Sequence, residues 1–270
     1  MSNPCSARRN FAKPPEGAHQ LQRNYQYDFS NSSEGMYDLL GREQKARTMV
    51  AVLENHLQSS LKELSLLNVG GSTGIIDNYL SDHFLSVTSI DIDSTAIHYA
   101  QTHFRKGNLQ FQVGDALNLE FPDNSFDVLI CSQVYEHVPV PHKMMDEIFR
   151  VLTPNGVCYF AAGNRLMWNE PHYNLPLLSV VPRPLAHLYV KLTGKAQYYH
   201  ELHYTYWGLK SLTKRFIVQD VTPEMVLEPT KYHIDYMLRP GSTKAFVSKL
   251  IVQNLRWLCP GYIWLLKKPN

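Results

Sequence analysis

The stretch LLNVGGSTG at residues 66–74 runs apolar residues straight into Gly70 and Gly71, with Ser72 and Thr73 before Gly74. A strand ending at Val69 and delivering such a loop to a helix places small residues where backbone can closely approach a bound molecule. The next apolar run, SVTSIDID, ends on Asp91, where a carboxylate can accept hydrogen bonds from both hydroxyls of a ribose. A third run ends in VGDA, with Asp115. A fourth, FPDNSFDVLICSQVYEHV, carries Ser132 and Gln133 at its end and Glu136 and His137 just beyond. A histidine there can take a proton from a hydroxyl nucleophile, and its plainer role is to brace a loop or cap a helix. His200 and His203 in KAQYYHELHYTYWGL lack the i, i+4 spacing of a zinc-binding histidine pair, and no third ligand is evident nearby. The expectation is that no metal is bound.

These residues need a scaffold, and the pattern supplies one. Apolar residues recur at helical spacing over 36–61 (Leu39, Leu40, Ala46, Met49, Val50, Leu53, Leu57), as one long helix or two short ones across Gly41. Strand-like runs at 64–69, 87–92, 109–113, 126–132 and 157–161 then alternate with helix-like segments. Asp93 and Ser94 cap STAIHYAQTHF, HKMMDEIFRVL stops before Pro154, and Asn155 and Gly156 turn the chain into the next strand. Crossovers of this length imply a parallel, doubly wound sheet covered on both faces. RFIVQDVT and PGYIWLLKKP read as a closing antiparallel strand pair.

In order and spacing, LLNVGGSTG, VTSIDID, VGDALNLEFPDNSFDVLICSQVYEHV and EIFRVLTPNGVCYF resemble the class I S-adenosylmethionine-dependent methyltransferases. The likeness spans roughly residues 64–162 and is strongest to the small-molecule enzymes of ubiquinone and menaquinone biosynthesis. It implies a Rossmann-like α/β fold: a seven-stranded methyltransferase sheet with the last strand antiparallel, plus a mainly helical lid insertion. It also implies S-adenosylmethionine as cofactor. Gly70, Gly71, Ser72 and Gly74 would cradle its methionine part, Asp91 would hold the ribose, and Ile92 would pack on the adenine. Asp115 and Ala116 would meet the adenine edge, while Ser132 and Gln133 would line the methyl-donor end. Two positions depart from the family pattern. Asn68 stands where an acid near the cofactor's ammonium is usual, and Ser72 replaces the middle glycine. Asparagine keeps an acceptor without the charge, and serine adds a Cβ to the loop. A nicotinamide-binding domain fits less well, because its loop reads GxGxxG and lacks the companions around Asp115 and Gln133.

The expected organisation is a flexible leader over 1–24 and a methyltransferase domain over 25–270. Its core lies at 36–162 and 205–270, with the lid at 163–204 and a helical insertion at 223–260. The chain has 270 residues and a formal net charge of +2, but the charge divides unevenly. Residues 1–164 hold 12 Lys and Arg against 18 Asp and Glu, and residues 165–270 hold 14 against 6. A basic, aromatic second half suits an anionic acceptor: a small molecule, a glycan precursor or a lipid-linked substrate, with peripheral contact at a membrane surface. Nucleic acid is disfavoured, since the chain has no DPPY-like tetrapeptide after the fourth strand-like run and no dense basic run, and no Pro-Cys pair there supplies a nucleophile for cytosine C5 chemistry.

The expected reaction is O-methylation. Its rivals are C-methylation of a quinone-like or lipid acceptor, a nucleic-acid methyltransferase, and a non-catalytic cofactor-binding module. Cys5, Cys131, Cys158 and Cys259 show no CxxC spacing and read as reduced, and no apolar run reaches about 18 residues. The expected location is cytoplasmic.

Overall fold

The computed structural model describes residues 27–32 and 34–270; the expected leader at 1–24 and Cys5 lie outside them. The described chain begins with α1 (Phe29–Ser32) and a 3-10 turn (Glu34–Tyr37), followed by α2 (Leu39–His56). Asp38 caps α2 by accepting from the Gly41 N–H at 3.1 Å. The glycine thus sits in the first turn, and a single helix follows instead of two.

The core then alternates β1 (Ser65–Val69), α3 (Ile75–Leu80), β2 (Ser86–Asp91), α4 (Ser94–His103), β3 (Leu109–Val113), β4 (Phe126–Ser132), α5 (Pro141–Val151) and β5 (Leu152–Gly163). Asp93 caps α4, accepting from the N–H groups of Thr95 and Ala96. β5 is longer than the sequence run suggests. Its pairing with β4 jumps from Phe126–Leu152 to Val128–Val157, so the Asn155–Gly156 turn forms a bulge inside the strand.

A long excursion follows: β6 (Asn169–Glu170), β7 (Leu175–Pro176) and α6 (Arg183–Leu192). It has its own apolar cluster of Leu175, Leu178, Ala186, Val190 and Tyr199. The chain returns through α7 (Tyr206–Leu212), β8 (Ile217–Asp220), α8 (Thr222–Leu227), α9 (Thr243–Asn254) and β9 (Gly261–Lys267).

The seven main strands run in the order β3-β2-β1-β4-β5-β9-β8. Pairings from β3 through β5 are parallel, whereas β9 runs antiparallel to both β5 and β8. The central strands read as continuous apolar runs because helices cover both sheet faces: Leu66, Leu67, Leu129, Ile130, Cys131, Cys158 and Phe160 are all fully buried. Cys131, Cys158 and Cys259 are free thiols in this interior. Among the described residues no helix is long and apolar enough to cross a membrane. The carboxyl ends of β1, β2, β4 and β5 therefore meet at one edge, where a doubly wound sheet binds its ligands.

Candidate active site

The loop after β1 is held from below by a carboxylate. Asp77, fully buried in the first turn of α3, accepts from Asn68 Nδ2 of β1 at 2.7 Å and from Ser89 Oγ of β2 at 3.0 Å. A Cβ on Gly71 would stand 1.9 Å from Ser89 Oγ and 2.8 Å from Asp77 Oδ2, so only glycine fits over this junction. Gly74 has φ +75°, and a Cβ there would strike the Phe111 ring at 2.6 Å. Ser72, at φ 55°, presents its N–H to Asp91 Oδ2 at 2.7 Å. The other oxygen of Asp91 accepts from the Asp93 N–H at 2.9 Å. Burial pushes the Asp91 carboxyl up, opposed by these two backbone donors. Asp91 and the glycine loop thus form one unit at the ends of β1 and β2.

Farther along the same edge, Ile92 is half-buried after β2 and Ala116 is buried after β3. Asp115 accepts from the Leu117 N–H at 2.8 Å and lines a small cavity with Ile90 and Gly114. Ser132 closes β4 opposite Ala161 of β5, and Gln133 turns the chain with φ 57°. These residues all lie along the carboxyl edge of the sheet. Residues 27–32 and 34–37 cross over it. Burial, and then the charge of Asp115, pushes the Tyr27 phenol up; the Ser30 N–H donates to Asp93 Oδ2 at 2.8 Å; Thr73 Oγ1 donates to the Met36 carbonyl.

One buried cation, Arg42 of α2, joins this edge. Burial lowers its pKa while the charges of Asp77, Asp91 and Asp38 oppose the shift. Its Nη1 lies 3.2 Å from Met36 Sδ, and its buried Nε makes no hydrogen bond among the described residues. The helical pattern of 36–61 concealed this residue, because its role depends on which face of α2 meets the loop.

Beyond Gln133 a second group of titratable side chains gathers. Tyr135 is fully buried; its hydroxyl donates to the Gly163 carbonyl at 2.6 Å and accepts from the Tyr204 N–H at 3.0 Å, tying both ends of the excursion to β4. Glu136 is fully buried, and neither of its carboxylate oxygens bonds to another residue among those described. Burial pushes its carboxyl up, opposed chiefly by His203 and also by His172. The His137 ring packs 5.4 Å from Phe29 and 4.9 Å from His172, with Nδ1 3.9 Å from Glu201 Oε1.

Glu170 of β6 is fully buried, with Oε1 2.5 Å from His172 Nδ1 and 3.4 Å from His203 Nε2. Burial would raise the Glu170 carboxyl, but the His172 and His203 hydrogen bonds outweigh it and hold the group down at about 2. Burial pulls His172 down, and the Glu170 hydrogen bond with the charges of Glu201, Glu170 and Glu136 holds it above its ordinary value. His200 is exposed, with its ring edge-on to Tyr198 at 6.5 Å and its carbonyl accepting from Arg183 at 3.1 Å. The two histidines that stand close in sequence therefore part, and His203 meets Glu170 and His172 instead. Glu170, Asp77 and Arg42 escaped the sequence reading; WNEPHY, with an acid two residues before a histidine inside an aromatic run, was the available signal for Glu170.

The strand order and the antiparallel β9 define a Rossmann-like methyltransferase fold. Residues 67–160 match the family described as a methyltransferase domain, and the cofactor that this likeness implies is S-adenosylmethionine. A ubiquinone biosynthesis O-methyltransferase of Coxiella burnetii is 30% identical over 110 residues, 40% of this chain and 47% of that protein. The aligned part thus spans about half the length of that relative. Among solved structures, a chain from the complex containing the Haloferax volcanii Trm112 methyltransferase activator covers 92% of this chain and 99% of its own, with TM-score 0.57 and 14% identity. An S-adenosylmethionine-dependent methyltransferase of Methanosarcina mazei covers 81% of this chain and 97% of its own, with TM-score 0.51 and 22% identity. These last two likenesses are of fold.

The residues fit that cofactor: a loop with no room for a Cβ at Gly71, an acid at the end of β2, and a buried guanidinium with an unengaged N–H.

The Asp77 junction makes stability depend on pH. Burial lifts its carboxyl from 3.8 to about 6, against the Asn68 and Ser89 hydrogen bonds and the charge of Arg42. A folded-state value above the unfolded one means the native chain keeps this proton longer. The contribution is fully present below about pH 4 and is lost as pH rises through 6, at a cost of about 3 kcal/mol by neutral pH. Asp77→Asn should raise stability at pH 7.5 by roughly 1–3 kcal/mol and leave it unchanged near pH 4. Urea unfolding across that range checks this; equal effects at both ends would refute the buried charge.

Proposed function

We propose that the chain is an S-adenosylmethionine-dependent O-methyltransferase acting on a small anionic or lipid-linked acceptor. The observation that carries this reading is a convergence: the glycine loop and Asp91 share one sheet edge with His137, at the mouth of a segment long enough to enclose an acceptor. The sulfonium of the bound cofactor supplies an electrophilic methyl group. The chain's part is to hold the acceptor oxygen in line with it, and holding dominates such displacements.

Asn68, Gly70, Gly71, Ser72 and Gly74, with Ser132 and Gln133, form the methionine end of the cofactor site. Asp91 takes the ribose, Ile92, Asp115 and Ala116 take the adenine, and Arg42 takes the carboxylate. His137 receives the acceptor's proton. Residues 163–204 form a lid whose own apolar cluster lets it move as a unit, and residues 27–32 and 34–37 close the cofactor side.

The acceptor class follows from the second half of the chain. α6 exposes Leu185, Leu188 and Leu192 beside Lys191 and Lys195, and α9 exposes Phe246, Val247 and Leu250 beside Lys244 and Lys249. Apolar side chains set among cations suit an anionic lipid surface. The ubiquinone enzyme of Coxiella burnetii, named as an O-methyltransferase, supports oxygen as the acceptor atom.

Three outcomes test this. Asp91→Ala should weaken S-adenosylhomocysteine binding by roughly 2–4 kcal/mol in calorimetry, because charge-assisted hydrogen bonds are lost; unchanged affinity in a folded variant removes Asp91 from the site. His137→Ala should cut turnover by about 10²- to 10⁴-fold with cofactor affinity nearly intact. A lowered melting temperature with little rate loss would make His137 a brace. Co-sedimentation with anionic vesicles should fall as salt rises, because exposed charges are screened over about 8–10 Å at physiological ionic strength, and vesicles of neutral lipid should bind less. Equal binding to both would reject the charged surface.

A further inference from the structure

We propose that Glu136, Glu170, His172 and His203 form a binding site for one divalent transition-metal ion of the zinc or manganese type, beside His137. These residues come from the turn after β4, from β6 and the turn after it, and from the return of the excursion toward α7. The ion would therefore join three segments far apart in sequence.

The geometry is already close to that of a coordination shell. Ligand atoms 2.0–2.2 Å from one ion stand about 3–3.5 Å from each other. Glu170 Oε1 is 3.4 Å from His203 Nε2 and 2.5 Å from His172 Nδ1, so an entering ion needs only a small widening of the second pair. Ligand atoms of Glu170, His172 and His203 all lie within 4.8 Å of one another, as do those of Glu136, His137 and His172. His172 belongs to both groups and links them.

Glu136 supplies an independent reason. Its carboxylate is fully buried and bonds to no other residue among those described, while its strongest electrostatic partners are His203 and His172. A buried carboxylate without donors costs several kcal/mol unless a cation faces it. Two carboxylates facing one divalent ion are neutral together, and two neutral imidazoles complete a set that suits zinc, manganese or ferrous iron. Glu170 and the His203 side chain are almost wholly buried, whereas 19% of the His172 side chain stays exposed, which leaves a path for entry.

The proposal adds a task to the function proposed above and rests on that reading only for the task. An acceptor hydroxyl bound at an open position on the ion would lose its proton more readily, with His137 beside it to accept that proton. Ion binding itself requires neither cofactor nor acceptor.

The test uses the whole chain, stripped with a chelator and titrated calorimetrically with zinc chloride and, separately, manganese chloride. The same samples are titrated with S-adenosylhomocysteine. One ion per chain is expected. Glu170→Gln, Glu136→Gln and His203→Ala should each weaken its binding on the order of 10²-fold or more, while His200→Ala, at an exposed neighbour outside the cluster, should bind as the parent does. Should a buried variant fail to fold, as judged by circular dichroism, His172→Gln at the partly exposed ligand carries the test. No binding of either ion by the parent, or equal affinity in parent and Glu170→Gln or His172→Gln, overturns the site. Intact ion binding with no S-adenosylhomocysteine binding would overturn the cofactor reading and uphold the metal site; the reverse pattern would do the opposite.

Discussion

A single carboxylate ties the first two strands to the loop between them. Asp77 takes one hydrogen bond from β1 through Asn68 and one from β2 through Ser89, and it lies beneath Gly71 with no room for a Cβ between. Loop position, strand spacing and the start of α3 are thereby coupled. Arg42 carries the opposing charge, so α2 is bound electrostatically to the same junction. The loop's geometry rests on an interior polar contact, where low dielectric makes each bond strong and each loss expensive.

This junction also gives physical meaning to the departure at residue 68. An asparagine replaces the acid usual in the resembled family, yet a carboxylate is present at hydrogen-bonding distance, contributed nine residues later by α3. The carboxylate facing Asn68 thus comes from α3 and not from β1 itself. The Asn68 amide can both donate to Asp77 and leave its carbonyl oxygen for another donor.

The far side of the site obeys a similar rule. The excursion between β5 and α7 packs a small apolar cluster of its own, but its polar ends are fastened to the sheet: Tyr135 bridges Gly163 and Tyr204, and Asn164 Nδ2 reaches the carbonyls of Trp257 and Cys259. Glu136, next to Tyr135, is consequently held inward against His203 and His172. The same fastening that closes the excursion gathers the buried acids and imidazoles.

The order of strands and helices was legible in the sequence because each element carries a local signal. The runs ending at Val69, Asp91, Val113 and Ser132 are apolar over the length a buried parallel strand needs, and Asp93 caps its helix within three residues. The positions of Gly70, Gly74, Asp91 and Asp115 at strand ends followed from the same local pattern. What the sequence could not disclose were pairings set by distance through space: Asp77 with Ser89, Arg42 with the loop acids, and His203 with Glu170 and His172 rather than with His200. Such contacts depend on helix rotation and on how a forty-residue excursion folds back, and no periodicity along the chain encodes either. By itself the sequence determined the sheet and the loop that approaches the ligand, since both arise from burial and backbone sterics acting over a few residues. Only the tertiary structure decided which charges face one another, because electrostatic partners in a buried site are chosen by packing, whatever their separation along the chain.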